Sequence, residues 1–261
     1  MKKLTTLLMV LVLTLALSAC GGQSKNVELT VFAAASMQET LTEIGENYMK
    51  DHENVTLTYN FDSSGTLQTQ IEEGAACDIF ISAGQKQMNA LAEGNFVDTA
   101  TRFDLLENKV ALAVPEGNPA GIQNYGDLKS RLEAQNDILL AMGNSDVPVG
   151  QYTQKIFAYW GLDEEALANA GCLTYGSNVK EATTQVSEGM VDCGIIYGTD
   201  AFSAGLTVVD TATEEMCGQV IYPAAVLSGS EHGADAKAFL DYVRSADGAA
   251  VLERVGFTPL G

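Results

Sequence analysis

The sequence has little positive charge. Its 261 residues include 14 lysines and arginines against 34 aspartates and glutamates, which gives a formal net charge of −20 at pH 7. A protein that binds nucleic acid needs a basic surface to neutralise phosphates, so this class of function is excluded. The acidic excess favours solubility and says little about a small ligand, because charges more than about 8 Å away are largely screened at physiological salt.

Histidines are few, and the cysteines lack a metal-binding pattern. His52 and His232 lie in polar, turn-like segments, where a surface position is expected. After position 20 the cysteines are far apart: Cys77, Cys172, Cys193 and Cys217. They lack the C-x-x-C spacing of a zinc site, so no directly coordinated metal is predicted. Their pairing stays open, and buried free thiols suit the apolar neighbours of Cys77 and Cys193 equally well.

Only the start of the chain has a long apolar run. Lys2 and Lys3 precede the run Leu7–Leu17, which is too short to span a bilayer. This pattern predicts a cleaved export signal over residues 1–19. The tetrapeptide LSAC that ends at Cys20 resembles a bacterial lipobox, which implies a lipid on Cys20 and a short tether over residues 20–26. A plain signal peptide with an incidental cysteine is the alternative.

Beyond the tether, strand-like and helix-like segments alternate. The first strand, VELTVFAAA, precedes a helix whose apolar residues Met37, Leu41, Ile44 and Tyr48 are spaced by three and four. Further strands are predicted at NVTLTYNF, CDIFIS, KVALAVPEG, DILLAMG, VDCGIIYG, TVVD and QVIYPAAVL. This alternation is typical of an α/β fold with mostly parallel sheets flanked by helices. The tail predicts two helices that meet at Ser245–Gly248.

Four strand-to-helix turns offer hydrogen-bond donors. In the first, Ser36 and Glu39 have the S-x-x-E spacing of a capping box, which predicts that the Ser36 hydroxyl caps a helix and keeps its proton for a ligand. The second turn, FDSSGT, presents Ser63 and Ser64 beside a glycine. In the third, NSDVPVGQ, a proline leads into a helix whose first amides, including that of Val149, lack partners within the helix.

The fourth turn, GSNVKE, predicts Asn178 as a helix cap and leaves the Val179 amide free. A helix N-terminus behaves like roughly half a positive charge. Four such ends around one cleft predict an anion site that needs no lysine or arginine. The nearby Lys180 lies within the predicted helix.

Five segments, in this order and at these separations, resemble the molybdate-binding proteins of bacterial ABC importers. They are VFAAASMQETL, FDSSGTLQTQIEEGAACDIFISAG, MGNSDVPVGQY, SNVKEA and CGIIYGTDA. The likeness extends from about Val27 to Gly261. It implies a two-lobed periplasmic-binding-protein fold of type II, with lobe 1 at 27–107 plus 219–261 and lobe 2 at 108–218, joined by crossing hinge strands.

The same resemblance implies a ligand and its contacts. Ser36 and Ser64 would bind the oxyanion from one lobe. Val149 and Val179, through backbone amides, and Tyr197, through its hydroxyl, would bind it from the other. The ligand would be molybdate or tungstate, held through its oxygens without a cofactor. A monomer anchored outside the cytoplasm would deliver it to a membrane permease and its ATPase.

Two positions depart from the family's pattern. Asp62 stands where relatives often have a small neutral residue. In the cleft its carboxylate would repel a dianion or accept the proton of hydrogen phosphate, and we expect it to point outward instead. Val149 replaces a smaller residue, which should affect only the fit because the predicted contact is an amide.

Other classes of protein remain as alternatives. A sulfate- or phosphate-binding protein of the same architecture is one, and only Asp62 favours it. A serine hydrolase would use Ser36 or Ser64 with an adjacent base, but both histidines are far away in sequence and no G-x-S-x-G elbow is present. The effector domain of a regulator is disfavoured by the export signal and by the lack of a helix-turn-helix segment.

Overall fold

The computed structural model describes residues 26–135 and 138–260. Cys20, the predicted signal and most of the predicted tether lie outside these ranges, so what the sequence implies for them stays a prediction. Within the described ranges, no helix is both long and apolar enough to cross a bilayer.

The described chain alternates strands with helices. In chain order the strands are β1 (Val27–Ala34), β2 (Val55–Asp62), β3 (Ile79–Ile81), β4 (Phe103–Asn108), β5 (Val110–Val114), β6 (Leu140–Gly143), β7 (Leu173–Gly176), β8 (Cys193–Tyr197), β9 (Thr207–Thr211), β10 (Val220–Val226) and β11 (Thr258–Pro259). The helices are α1 (Gln38–Asp51), α2 (Ser64–Glu72), α3 (Gln85–Glu93), α4 (Tyr125–Ala134), α5 (Pro148–Trp160), α6 (Glu164–Asn169), α7 (Val179–Ser187), α8 (Gly198–Ser203), α9 (Glu214–Cys217), α10 (Gly233–Val243) and α11 (Ala246–Arg254).

The strands form two mixed sheets. The first has the order β11-β4-β10-β3-β1-β2, and the second has the order β7-β6-β8-β5-β9. The pairs joined through helices are parallel, β1 with β2 and β3, and β6 with β7 and β8. The antiparallel strands β4, β5, β9 and β10 flank the two points where the chain passes between the sheets. The α/β fold is therefore confirmed. The sheets are mixed rather than mostly parallel as predicted, because the strands beside the two crossings pair in antiparallel fashion.

Apolar residues cover both faces of the first sheet. Leu29 and Val31 of β1 belong to the main core with Leu41 and Ile44 of α1. Phe32 points to the opposite face and joins a second cluster, which includes Leu67 of α2 and Met88 of α3. Because successive side chains of a strand alternate in direction, the continuously apolar second half of β1, residues 31–34, packs against helices on both sides.

The cysteines beyond position 20 are free thiols in the structure. Burial raises the pKa of Cys193 to about 12 and that of Cys77 to about 12. A thiol with so high a pKa is almost fully protonated near neutral pH and therefore a poor nucleophile.

Candidate functional site

The first sheet with its helices is called the first half of the molecule, and the second sheet with its helices the second half. A small cavity lies between the two halves, at the carboxyl ends of their strands. Its lining residues come from the first half (Ala34, Ala35, Ser36, Asp62, Ser63, Ser64 and Ala83) and from the second half (Val147, Pro148, Val149, Val179 and Tyr197). The space open to the centre of a water-sized sphere is about 10 Å³, which is roughly the room that one water molecule needs. The site therefore suits only a small ligand.

The five residues predicted as ligand contacts all line this cavity. Ser36 and Ser64 contribute from the first half; Val149, Val179 and Tyr197 contribute from the second. The fold thus brings together residues that are distant in sequence; Ser36 and Tyr197 are 161 positions apart. Their role in binding stays a proposal, developed below.

The predicted capping role of Ser36 is wrong. Residues Ala35–Met37 form a short 3-10 turn, and α1 begins after Met37 without a side-chain cap. The hydroxyl of Ser36 instead lies 2.9 Å from the hydroxyl of Tyr222. Glu39, the other half of the expected capping box, pairs with Lys180 at 2.8 Å. The 3-10 turn rotates Ser36 away from the free amides of α1, so its hydroxyl meets the buried tyrosine.

The two serines of the second turn have separate roles. Ser63 is the N-cap of α2, and its Oγ accepts a hydrogen bond from the Thr66 amide at 3.1 Å. Ser64 is fully buried, and its Oγ accepts from the Ala83 amide at 2.9 Å. Since the cap is supplied by Ser63, the proton of the Ser64 hydroxyl and the first amide of α2 remain available to a ligand.

Two helices of the second half begin at the cavity. Pro148 is the first residue of α5, so the Val149 amide lies in the first turn of that helix. Asn178 caps α7 by accepting from the Glu181 amide at 3.1 Å, as the sequence predicts. The amides of Val149 and Val179 therefore have no partner within their helices, and both helix dipoles present their positive ends.

Tyr197 closes the cavity from the second sheet. Its side chain is 1% exposed, and burial raises the pKa of its hydroxyl well above the ordinary value. The hydroxyl is therefore a neutral donor, and it donates to the Ala83 carbonyl at 3.4 Å. This long bond joins the two halves and uses the single proton of the hydroxyl, which must turn from the Ala83 carbonyl toward a ligand in order to donate to it.

Asp62 does not point outward as expected. It lines the cavity, and its Oδ1 accepts from the Ser63 amide at 2.7 Å. The same oxygen accepts from the side chain of Asn178 at 3.4 Å. The free amide at the start of the turn draws the carboxylate inward, and Asn178 of the second half then meets it. Asp62 is thus a contact between the halves at the edge of the cavity.

Cationic side chains are absent from the lining in the described part of the chain. Lys180 follows Val179, but its ammonium pairs with Glu39 at 2.8 Å and Asp200 at 3.2 Å. Burial would lower the pKa of Lys180, yet these carboxylates raise it. The lysine charge is therefore already neutralised by protein groups, and hydroxyls and amides supply the donors at the cavity.

Neither histidine stands beside the cavity serines. His52 stacks on Tyr48, with 3.9 Å between ring centroids, and its Nδ1 contacts the Tyr48 carbonyl at 2.9 Å. His232 lies just before α10. Neither belongs to the lining residues, so the geometry gives Ser36 and Ser64 no histidine base for a nucleophilic reaction.

Sequence reasoning missed several residues that support the site. Ala83 follows β3 and contacts both Ser64 and Tyr197. Tyr222 contacts Ser36 from β10, and its segment QVIYPAAVL has the pattern of an ordinary buried strand. No local signal marks these residues, because their role arises only when distant strands become neighbours.

Two α/β halves that meet over a small cavity of neutral donors define a two-lobed binding protein for a small ligand. Residues 29–258 match the family model of the bacterial extracellular solute-binding proteins, which belongs to this class. The chain belongs to the bacterial extracellular solute-binding proteins.

Two individual relatives of known name are similar to the chain over most of its length. The chain is 36% identical to the molybdate-binding protein ModA of Escherichia coli (strain K12), over 88% of this chain and 89% of that protein. It is 32% identical to YvgL of Bacillus subtilis (strain 168), over 90% of this chain and 87% of that protein; YvgL is provisionally named an ABC transporter substrate-binding lipoprotein.

A solved structure and a more distant relative complete the comparison. The structure is the substrate-binding domain of a provisionally assigned molybdenum ABC transporter from Clostridium difficile, with 33% identity, a TM-score of 0.67, and coverage of 90% of this chain and 100% of that one. The distant relative is an aconitate isomerase from a Pseudomonas species, 23% identical over 89% of this chain and 88% of that protein.

Proposed function

We propose that this protein captures molybdate, and also tungstate, between two lobes and delivers it to an ABC permease. The observation that carries the proposal is the cavity itself, where Ser36, Ser64, Val149, Val179 and Tyr197 converge without a lysine or arginine. Their hydroxyls and amides supply only neutral donors. The relative named a molybdate-binding protein supports the same ligand, and the solved structure named for a molybdenum ABC transporter supports the same element.

Donors alone suit an ion that carries no proton. Molybdate is a fully deprotonated dianion near neutral pH, so each of its oxygens accepts. Hydrogen bonds to a charged group contribute about 1.5–3 kcal/mol each. Several pre-oriented donors can therefore offset the desolvation of the ion. The small volume of the cavity means that the walls must part slightly to admit four oxygens, which a hinge between the halves allows.

Competing oxyanions differ from molybdate in protonation or size. Hydrogen phosphate carries a proton that needs an acceptor, and an unpaired buried polar group costs about 1–3 kcal/mol, or roughly tenfold in affinity per defect. Sulfate has the same charge and no proton, so it is rejected only because a smaller ion makes longer, bent hydrogen bonds. Tungstate nearly matches molybdate, so we expect little discrimination between them.

The rest of the chain fits delivery to a membrane permease. We propose that lobe 1 comprises residues 27–107 plus 219–261 and lobe 2 residues 108–218, which agrees with the membership of the two sheets. A lipid on Cys20 would hold the monomeric protein on the outer side of the membrane; one acyl chain holds weakly and two hold stably. We assign no catalytic step, because the cavity serines have no adjacent histidine.

One observation favours phosphate as a second candidate. Asp62 lines the cavity, contrary to expectation, and a carboxylate is the group that could accept the proton of hydrogen phosphate. Its Oδ1 is already engaged with Ser63 and Asn178, which leaves it turned along the edge of the cavity. Molybdate therefore remains the preferred assignment.

Isothermal titration of the purified protein with molybdate, tungstate, sulfate and phosphate tests the assignment. We expect similar affinities for molybdate and tungstate and at least tenfold weaker binding of the other two, for the reasons of protonation and size given above. Thermal stability should rise in the same order. Equal affinities for all four ions would remove the selectivity, and preferential binding of phosphate would replace the assignment by the second candidate.

A further inference from the structure

A buried chain of polar side chains leads from the crossing between the sheets to the cavity. Asn108, at the end of β4, donates from Nδ2 to the Tyr222 hydroxyl at 3.1 Å and to Thr199 Oγ1 at 2.9 Å. The Tyr222 hydroxyl lies 2.9 Å from Ser36 Oγ. All four residues are at most 5% exposed. Buried polar groups of this kind are held in fixed hydrogen-bonding roles.

The direction of the chain is set at Asn108. Its Oδ1 accepts from the backbone amide of Lys109 at 2.8 Å. A backbone N–H can only donate, so the oxygen of the Asn108 side chain faces Lys109 and the NH₂ group faces Tyr222. That NH₂ group can only donate hydrogen bonds. The Tyr222 oxygen is therefore an acceptor in this bond, and its own proton must go elsewhere.

Ser36 Oγ is the acceptor that receives this proton. It lies 2.9 Å from the Tyr222 hydroxyl. The Tyr197 hydroxyl also interacts with Tyr222, and its own proton goes to the Ala83 carbonyl. The opposite direction, from Ser36 to Tyr222, would deprive the buried tyrosine proton of the partner that Ser36 offers at 2.9 Å, which is unfavourable. The order Asn108 to Tyr222 to Ser36 satisfies every group and leaves the Ser36 proton free.

We propose that Asn108 and Tyr222 are positioning residues that fix the Ser36 hydroxyl as a donor toward the cavity and so make the site reject an oxyanion that carries a proton. This inference rests on the proposed function and adds the residues that set its specificity. Ser64 shows the same arrangement, because its Oγ accepts from the Ala83 amide and retains its proton. Both serines therefore present donors.

Asn108→Asp reverses the chain with almost no change in shape. A carboxylate at this position accepts the Tyr222 proton, so Tyr222 in turn accepts the Ser36 proton, and Ser36 then offers the cavity only lone pairs. We expect molybdate to bind at least tenfold more weakly at pH 8. We also expect the affinity for phosphate relative to sulfate to rise at least fivefold.

The ratio of the affinity for phosphate to the affinity for sulfate distinguishes this positioning role from a merely structural one. At pH 8 both ions are dianions, so the negative charge that Asn108→Asp introduces weakens them alike, and a loosened fold would also weaken them alike. Only the proton of hydrogen phosphate distinguishes them. Asn124→Asp is the matched control, because Asn124 caps α4 outside the cavity lining and aspartate is an equally good cap. It should leave all affinities unchanged.

Tyr222→Phe provides a second variant if Asn108→Asp does not fold. It removes the donor to Ser36, so we expect weaker molybdate binding. We also expect the affinity for phosphate relative to sulfate to rise, but by less than in Asn108→Asp. Tyr125→Phe is its control, because it removes a buried tyrosine hydroxyl that has no hydrogen-bond partner among the described residues. An unchanged ratio in a folded Asn108→Asp or Tyr222→Phe protein overturns the inference alone. A wild-type protein that binds none of the oxyanions overturns both this inference and the proposed function.

Discussion

At the scale of single residues, Val179 allows a backbone donor to be tested by mutation. Proline is favoured at the first position of a helix, which Val179 occupies in α7. The preceding residue, Asn178, has φ −152° and ψ 174°, an extended conformation of the kind tolerated before proline. Val179→Pro should therefore keep the helix and remove only the amide. We expect molybdate affinity to fall about ten- to hundredfold, as for the loss of one charged hydrogen bond.

Val179→Ala is the control for this prediction, because it trims the side chain and keeps the amide. Titration calorimetry measures both affinities, and circular dichroism reports whether the helix is retained. If the proline variant is folded and binds molybdate as the alanine variant does, the Val179 amide is not a ligand contact.

Single residues also show where sequence reasoning stops. The spacing of Pro148, Val149, Asn178 and Val179 predicts two helix starts, and both are found because caps and prolines act locally. The capping box at Ser36 is wrong because a partner from a strand 186 positions away takes the hydroxyl. Such a competition is invisible in a local pattern.

At the scale of helices and strands, too, local patterns are predictable from the sequence and long-range effects are not. Strands with apolar runs, such as residues 31–34 of β1 and the whole of β5, are evident from the sequence. The sequence analysis missed β4, where Asp104 and Glu107 interrupt the apolar pattern, and β7, whose four residues are mostly not buried. These strands form because antiparallel or parallel neighbours supply hydrogen bonds, and that support depends on tertiary context.

Helices α1, α7 and α8 are joined by a cluster of three charges beside the cavity, of which only that of Asp200 is fully buried. Lys180 of α7 contacts both Glu39 of α1 and Asp200 of α8. The Asp200 side chain has no exposed surface; its Oδ1 lies 3.2 Å from the Lys180 ammonium, and its Oδ2 has no hydrogen-bond partner among the described residues. Burial raises the pKa of Asp200 from 3.8 to about 6, although Lys180 opposes the shift.

This raised pKa predicts how stability depends on pH. Between about pH 4 and 6 the folded state binds more protons at Asp200 than the unfolded state does, so this group lowers stability as pH rises through that window. Asp200→Asn removes the effect. Relative to wild type, the variant should gain free energy of unfolding from pH 4 to pH 7, by at most about 3 kcal/mol for two pKa units.

Urea denaturation of the ligand-free proteins at a series of pH values measures this difference. Asp127→Asn is the control with the opposite sign, because the hydrogen bond from Arg131 lowers the pKa of Asp127. That variant should lose stability relative to wild type as pH rises, but only below about pH 5, where the unfolded carboxyl still binds protons. A wild-type and an Asp200→Asn curve that run parallel from pH 4 to pH 7 would contradict the assignment of a raised pKa to Asp200.

At the scale of the whole molecule, the two halves touch around the cavity through a few specific contacts. Tyr197 donates to the Ala83 carbonyl, Asn178 donates to Asp62, and Gln87 donates to Gln151 at 3.3 Å. The sequence predicts that donors lie on both halves but not which residues meet between them. These contacts depend on the relative placement of two sheets, which local patterns do not encode.

Gly65 tests whether this closed arrangement is the one that binds the ligand. A Cβ at this position would lie 2.2 Å from the backbone carbonyl oxygen of Asp146 in the other half. Alanine favours helix over glycine by about 1 kcal/mol, so Gly65→Ala should not destabilise α2 itself. It should keep the two halves apart, so that donors on both walls cannot reach one ion. We expect at least tenfold weaker molybdate binding with an unchanged melting temperature of the ligand-free protein.

Gly233→Ala is the matched control, because the nearest atom to its new Cβ is 4.0 Å away on Val226. Titration gives the affinities, and small-angle X-ray scattering gives the compaction on adding molybdate, which wild type and Gly233→Ala should show and Gly65→Ala should not. If Gly65→Ala binds and compacts as wild type does, the approach of Asp146 to α2 is dispensable. Since the five proposed donors are divided between two walls and can act on one ion only when the walls meet, affinity and compaction should be lost together.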